Sequence, residues 1–291
     1  MLSTTDVVVI GGGPAGSMAA LEVVRRGLDV ILLEDHPIIG DPNHCSGLIS
    51  KRGIDRLNVP YPNTIIDNSV NAVNFYSPSN HCLTVRRKEK GELLVFQRNN
   101  LDRTLAEYAE LKGVEIRLNS KVKSLYRRSG AVAGVEVSPK QGTSYRISSR
   151  VVIDAEGSNA KFLSEAGLRP PDQKWRLPAM QFELDNVPNF PRDVCELYHG
   201  KEWAPGFFCW IIPACKDSVR IGVATFPRFG TARLLKKFLN FHPVASKSLQ
   251  DAIITKKRGG VVTACGPVKR AHAPGFLAAG DAAGQVKATT G

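Results

Sequence analysis

The sequence predicts an α/β protein whose main sheet is interrupted by an antiparallel α+β insertion. Three observations predict it. An apolar β-branched run near the start, Val7 to Ile10, passes straight into a glycine-rich turn and a helical stretch, the pattern of a strand buried on both faces of a parallel sheet. Short strands with polar turns between them then break that β-α rhythm. Late in the chain a final apolar strand, Phe276 to Ala279, runs into Gly280-Asp281-Ala282-Ala283-Gly284.

The turn after the first strand reads Gly11-Gly12-Gly13-Pro14-Ala15-Gly16. Gly11 permits a tight turn, Gly13 lets a pyrophosphate approach the backbone, and Gly16 lets helix and strand pack closely. Phosphates would sit on N–H groups at the helix N-terminus, where Pro14 withholds none that the helix would have used. Gly27 is expected to cap the helix. A second strand, Asp29 to Leu33, ends in Glu34 at the spacing where a carboxylate grips ribose hydroxyls. Glu34 would repel a 2′-phosphate, which disfavours NADP. The context makes this a Rossmann-like dinucleotide-binding domain.

From Pro37 to Ser50 a loop is expected, containing Gly40-Asp41-Pro42-Asn43-His44-Cys45-Ser46-Gly47. Val73–Tyr76, Leu83–Arg86 and Leu93–Phe96 read as an antiparallel insertion. A helix starts at Asn99 or Asn100 as N-cap, carries Leu101, Leu105, Tyr108 and Leu111 at helical spacing, and stops at Gly113. Val114 to Leu118 returns to the first sheet. Val122–Tyr126, Val132–Val137 and Ser144–Ile147 form a meander, and Val151–Ile153 is a further buried strand before Asp154-Ala155-Glu156-Gly157. From Pro170 to about Lys269 prolines, aromatics and alternating strands indicate a second domain. Within it Thr231 to Phe241 is an amphipathic helix with Lys236 and Lys237 beside its apolar residues, suited either to a membrane surface or to packing on a sheet.

Apolar residues make up 43% of the 291 and charged residues 23%, enough for a real core. No signal peptide is expected and no apolar stretch spans a bilayer. The six cysteines form no CxxC pair, so zinc and a disulfide framework are not expected, metal ligands are assigned to none, and a reducing cytoplasm is the default. The net charge is +12, with basic clusters at Arg86-Arg87-Lys88, Arg127-Arg128, Lys236-Lys237, Lys256-Lys257-Arg258 and Lys269-Arg270. These read as solvated surface, or as attraction to anionic lipid headgroups or an acidic electron donor. No nucleic-acid module is visible.

The glycine loop, Arg98 before the Leu101-Asp102-x-x-Leu105 helix, and the late Gly280-Asp281 together resemble the FAD-binding domain of the para-hydroxybenzoate hydroxylase type. Asp154-Ala155-Glu156-Gly157 resembles its DG motif, with Glu156 where Asp is usual. Phe208-Cys209-Trp210-Ile211-Ile212-Pro213 followed by Gly222-Val223-Ala224 resembles the YxWxFP…GxG substrate motif of geranylgeranyl reductases, and Cys45-Ser46-Gly47 resembles the cysteine loop beside the flavin in that family. The nearest resemblance is to archaeal digeranylgeranylglycerophospholipid reductases. It implies a Rossmann-like FAD-binding domain in three parts (1–68, 98–168 and 271–291) and a substrate domain in two (69–97 and 169–270). Family members continue past Gly291, so the resemblance also implies a C-terminally truncated chain.

What the resemblance implies for residues is specific. FAD would be held by Gly11, Gly13, Ala15, Gly16, Glu34, Cys45, Ser46, Gly47, Arg98, Val122, Gly280 and Asp281. Phe208, Trp210, Ile212, Pro213 and Gly222 would line the substrate cavity. Cys45 and Trp210 are the candidate catalytic residues, Cys45 as tuner of the flavin or proton source and Trp210 as wall of an apolar tunnel. The expected activity is FAD-dependent reduction of C=C bonds in geranylgeranyl chains of archaeal-type lipids or their precursors. Partners would be a polyprenyl lipid, a ferredoxin-like or nicotinamide electron donor and an anionic membrane surface, with the protein cytoplasmic or peripheral on the inner membrane face. The alternatives are a flavin monooxygenase or halogenase, since Trp210-Ile211-Ile212-Pro213 is similar to WxWxIP, and an inactive flavin-binding remnant.

Overall fold

The computed structural model describes residues 3–87, 92–227 and 229–287. Lys88 of the first basic cluster and the segment 288–291 lie outside them. The chain divides into two compact units, each visited more than once. Unit 1 comprises residues 1–42, 99–175 and 263–291, and unit 2 comprises 43–98 and 176–262.

The chain begins with β1 (Ser3–Ile10), α1 (Pro14–Val24) and β2 (Val30–Leu33). It then builds β3 (Leu48–Ser50), α2 (Lys51–Asp55), β4 (Ile66–Val70), β5 (Ala72–Tyr76), β6 (Cys82–Arg86) and β7 (Leu93–Phe96). The helix α3 (Arg98–Leu111) is followed by β8 (Glu115–Arg117), β9 (Ser120–Arg128), β10 (Ala131–Pro139), β11 (Tyr145–Asp154) and α4 (Lys161–Glu165). Next come β12 (Arg176–Asp185), β13 (Val194–His199), β14 (Phe208–Pro213), β15 (Val219–Ala224), α5 (Thr231–Phe241), α6 (Ala245–Ser248) and β16 (Ile253–Thr263). Finally β17 (His272–Ala273) and β18 (Phe276–Ala278) complete the described strands.

In unit 1 the strands run β17-β18-β11-β1-β2-β8, with β10 and β9 attached to the outer stretch of β11. β1 pairs in parallel with β11 and β2, and β11 with β18. The all-apolar β2 is buried at each position, as a strand covered on both faces must be. Unit 2 holds a seven-stranded sheet, β16-β12-β15-β14-β13-β5-β6, and a small sheet β3-β7-β4.

Several expectations need correction. The first crossing between units falls at residue 42/43 rather than 68/69, because Leu48–Ser50 is a strand paired with β7 and not part of a loop. For the same reason Leu93–Phe96 does not join β5 and β6. β5 and β13 pair in parallel, so the insertion is not wholly antiparallel. Val151–Ile153 is not a separate strand. It is the end of β11, whose first residues pair with β10 while the rest lie between β1 and β18. α3 begins at Arg98, and Leu111 is 76% exposed at its last position despite its helical spacing. Gly27 closes α1 as expected: at φ +72° its N–H donates to the Val24 carbonyl at 2.8 Å and the Leu28 N–H to the Val23 carbonyl at 3.4 Å.

The amphipathic helix α5 packs on the unit 2 sheet. Leu235 and Phe238 are fully buried, in one cluster with Phe182, Tyr198, Cys209, Ile211 and Ile221. Lys237 reaches Glu202 at 2.8 Å and lies over the Trp203 ring. Phe238→Ala should therefore cost about 3–5 kcal/mol, whereas Phe241→Ala, at a residue 71% exposed, should stay within about 0.5 kcal/mol. Urea unfolding of both variants is the check. Equal losses would mean that α5 is not anchored through Phe238.

Candidate active site

The glycine turn of unit 1 is shaped by backbone approach. Gly11, at φ +97°, is set so close to the end of β11 that a Cβ there would strike the Ala155 carbonyl, and a Cβ on Gly16 would strike the Gly11 carbonyl. Gly13 is different. Its φ of −69° and ψ of −179° suit any residue, and a Cβ there meets nothing within 4 Å. Nothing within the protein demands glycine at that position, and the space beside it is open. Gly13 is also the N-cap of α1 and offers no side-chain cap, which leaves a phosphate-sized anion as the natural partner for that helix end.

Two distant segments converge on the same turn. The Gly12 N–H donates to Glu34 Oε2 at 2.7 Å, and Glu34 Oε1 accepts from the His36 N–H at 3.0 Å. Burial opposes the Glu34 charge, but hydrogen bonds from Asp35, Gly12 and His36 outweigh it and hold the carboxyl below its ordinary range. From the other end of the chain, a Cβ on Gly280 would lie 2.7 Å from Ala15 Cβ. Gly280 and Asp281 open a short 3-10 turn after β18. Val122 is buried in β9, two residues from Ser120, whose N–H donates to the Glu34 carbonyl at 2.8 Å. Gly11, Gly13, Ala15, Gly16, Glu34, Val122, Gly280 and Asp281 thus belong to one compact unit. An open glycine, an uncapped helix start and an ionised carboxylate at the second strand are what a dinucleotide requires, and FAD fits them. Glu156, the departure from the family motif, accepts from the Phe162 N–H at 2.9 Å and so caps α4.

Asp154, the first residue of the stretch that resembles the DG motif, closes β11. One oxygen accepts from the Glu156 N–H at 3.1 Å, and the other is buried without a partner. Burial, then the nearby Glu156 charge, push its carboxyl up to about 7, although the Glu156 N–H opposes this.

Unit 2 carries the other candidates. Phe208, Trp210 and Ile212 alternate along β14 with Cys209 and Ile211. The latter pair faces α5, so the former face the opposite side. Gly222 pairs with Trp210 across the strands, and a Cβ on it would strike the indole ring. The indole N–H donates to Gln181 Oε1 at 3.3 Å. Pro213 is buried at the strand's end. Trp210 itself is buried.

The cysteine loop is fastened on both sides. Asn43 Oδ1 accepts from the Cys45 N–H at 3.0 Å, and the Gly47 N–H donates to Cys45 Sγ at 3.4 Å. His44 Nδ1 lies 2.5 Å from the Gly259 carbonyl, and Arg258 donates to the Asn43 carbonyl at 3.4 Å. Arg220 donates to the Ser46 carbonyl at 2.6 Å and the Phe96 carbonyl at 2.9 Å. It also makes a buried ion pair with Asp67. Arg220 lies two residues before Gly222 on β15, so the cysteine loop is held to the sheet face that carries Trp210. Arg98, expected at the flavin diphosphate, is the first residue of α3 in this unit. Arg220, Asp67 and Gln181 were missed in the sequence. The signal was there for Arg220, a charge inside the apolar run Val219–Ala224.

Comparison with known proteins follows the same lines. Residues 6–200 match the family model described as FAD dependent oxidoreductase. The chain is 30% identical to digeranylgeranylglycerophospholipid reductase 2 of Methanopyrus kandleri, covering 98% of this chain and 72% of that protein. It is also 30% identical to digeranylgeranylglycerophospholipid reductase of Methanothrix thermoacetophila, over 98% of this chain and 73% of the relative. A geranylgeranyl bacteriochlorophyll reductase-like protein from Thermoplasma acidophilum superposes with a TM-score of 0.92 at 25% identity, covering 100% of this chain and 74% of that one. A flavin-dependent brominase shares the fold, with a TM-score of 0.80 at 20% identity over 96% of this chain and 72% of its own.

Two outcomes are expected. Gly13→Val fits the backbone but fills the open approach, so the variant should fold with an unchanged Tm when apo and lose its flavin spectrum. A yellow Gly13→Val protein would refute the cradle. For Asp154, the folded carboxyl keeps its proton up to pH of about 7, while the unfolded one loses it near about 3.9. The folded state binds more protons in that window, so stability falls as pH rises through it. The Tm advantage of Asp154→Asn should then widen from pH 4 to 7 and level off above. A constant gap across a pH series would contradict the assignment.

Proposed function

This chain belongs to the family of FAD dependent oxidoreductases and, within it, to the digeranylgeranylglycerophospholipid reductases, and from that premise we propose that it adds hydrogen across the isolated C=C bonds of geranylgeranyl chains in archaeal-type lipids or their precursors. It is an FAD-dependent reductase. Gly11, Gly13, Gly16 and Glu34 would hold FAD, whose reduced form would supply the hydride. The protein must supply the rest. An isolated alkene has no carbonyl to polarise, so orientation and exclusion of water carry much of the work. Phe208, Trp210 and Ile212 form an apolar strand face suited to a polyprenyl chain, with Gly222 giving the indole room to lie flat. The second alkene carbon needs a proton, and Cys45 is the residue we assign to hold it.

The observation that supports this reading is the fastening of the Cys45 loop, through Arg220, to the sheet face of Trp210. A thiol and an apolar wall on one face are what alkene protonation asks for. No helix among the described residues is long and apolar enough to cross a membrane. The lipid would be met at an anionic surface, drawn by the +12 balance, although several of the basic groups are already paired, Arg86 with Asp193 and Lys256 and Arg258 with Glu183. The donor would be ferredoxin-like or a reduced nicotinamide.

The test is anaerobic photoreduction followed by addition of an unsaturated archaeal-type lipid. Reoxidation of the flavin with saturation of the chain is the expected result. Cys45→Ser is nearly isosteric and should keep its flavin but slow single-turnover reoxidation by about a hundredfold. No reoxidation by lipid in the unmodified protein would sink the reading as a whole. An unchanged rate in Cys45→Ser would remove only the proton role.

A further inference from the structure

Each position of β15, Val219–Ala224, is buried, and a guanidinium in such a strand is costly unless its donors are used. Arg220 uses them on three groups: the Asp67 carboxylate, the Ser46 carbonyl and the Phe96 carbonyl. Asp67 is itself held, accepting from Gln97 Nε2 at 2.8 Å and from the Cys215 thiol at 3.0 Å. The Ser46 carbonyl is not an isolated acceptor. It belongs to the same peptide group as the Gly47 N–H, and that N–H points at Cys45 Sγ from 3.4 Å. A peptide group is planar, so a guanidinium that fixes its oxygen also aims its N–H. The same cation polarises the group and makes the N–H a stronger donor. Gly47 is pressed into this arrangement at φ +81°. A Cβ there would strike the Phe96 carbonyl and lie 2.7 Å from Arg220 Nη1.

We propose that Arg220, anchored by Asp67, is a positioning residue of the reductase, acting through the Ser46–Gly47 peptide to set the place and reactivity of the Cys45 thiol. The proposal rests on the reading of Cys45 given above. Its chemistry is directional. An N–H aimed at sulfur favours the thiolate over the thiol, so the fork on Ser46 sets how readily Cys45 gives up its proton. Lysine cannot replace it, because a single ammonium cannot serve a carboxylate and two carbonyls in the geometry of a planar fork.

The test follows the pH profile of Cys45 alkylation by iodoacetamide in the flavin-loaded protein, read by peptide mass mapping. Cys82, exposed on β6, is the internal control. In Arg220→Lys the midpoint of the Cys45 profile should rise by about one pH unit, making alkylation about tenfold slower at neutral pH, with Cys82 unmoved. A loop merely loosened would react faster with no change of midpoint. Should Arg220→Lys fail to fold, the double variant Asp67→Asn with Arg220→Met leaves no unpaired buried charge and should show the same rise. A raised midpoint together with slower single-turnover reoxidation by lipid supports the proposal. An unmoved midpoint in a folded variant overturns it, and so does a raised midpoint with unchanged single turnover. The alkylation arm needs no lipid, so it can fail while Cys45→Ser still slows the reaction.

Discussion

The nucleotide half of this protein depends on a backbone-to-backbone contact that tolerates no side chain. Gly11 turns under the end of β11 with its Cα against the Ala155 carbonyl, and Gly16 in α1 closes on the Gly11 carbonyl. One methyl at either place would drive apart a strand, a helix and the neighbouring strand end. That contact puts the start of α1 beside the ends of β1 and β2, where the Gly12 N–H can reach Glu34. It also leaves Ala15 available to meet Gly280 from the far end of the chain. The cradle is therefore a by-product of close packing, with Gly13 the one glycine of the turn that the packing itself does not require.

Unit 2 solves the opposite problem. Its residues must be held at a distance from one another, and polar groups buried in apolar surroundings do the holding. Trp210 is kept flat by the bare surface of Gly222 and oriented by Gln181. The cysteine loop is suspended between Arg220 with Asp67 on one side and Arg258 with Glu183 on the other. The buried pair of Arg220 and Asp67 adds little net stability, since desolvation offsets the attraction. What both pairs contribute is a defined position for the loop between them.

Much of unit 1 was legible in the sequence because its signals are local. The β-branched run, the glycine spacing and Glu34 at the end of the second strand all lie within the first 34 residues. Gly280-Asp281 was legible only through family resemblance, since nothing nearby says that it returns to Ala15. Short strands were misread where pairing partners are remote. Leu48–Ser50 looks like loop until β7 is placed beside it, and β5 takes a parallel partner more than a hundred residues away. Leu111 kept helical spacing but sits in a last turn that no core covers. Asp67 and Arg220 are 153 residues apart, and neither has a neighbour that marks it as half of a pair. Asp154 was legible only as part of a motif resemblance, since its burial is set by β1 and β18 on either side.

The interleaving of the two units has a consequence for how the protein comes into being on the ribosome. β18, which flanks β11 in the main sheet, is the last of the described strands to be synthesised. Until it emerges, the nucleotide half exposes an open edge beside β11, a site for wrong pairing with other nascent chains. Unit 2 can complete its seven-stranded sheet before that point, since its final strand, β16, ends at Thr263. Unit 2 can thus close its sheet before β18 joins the main sheet of unit 1. A ligand that binds only the finished sheet then draws the chain toward it.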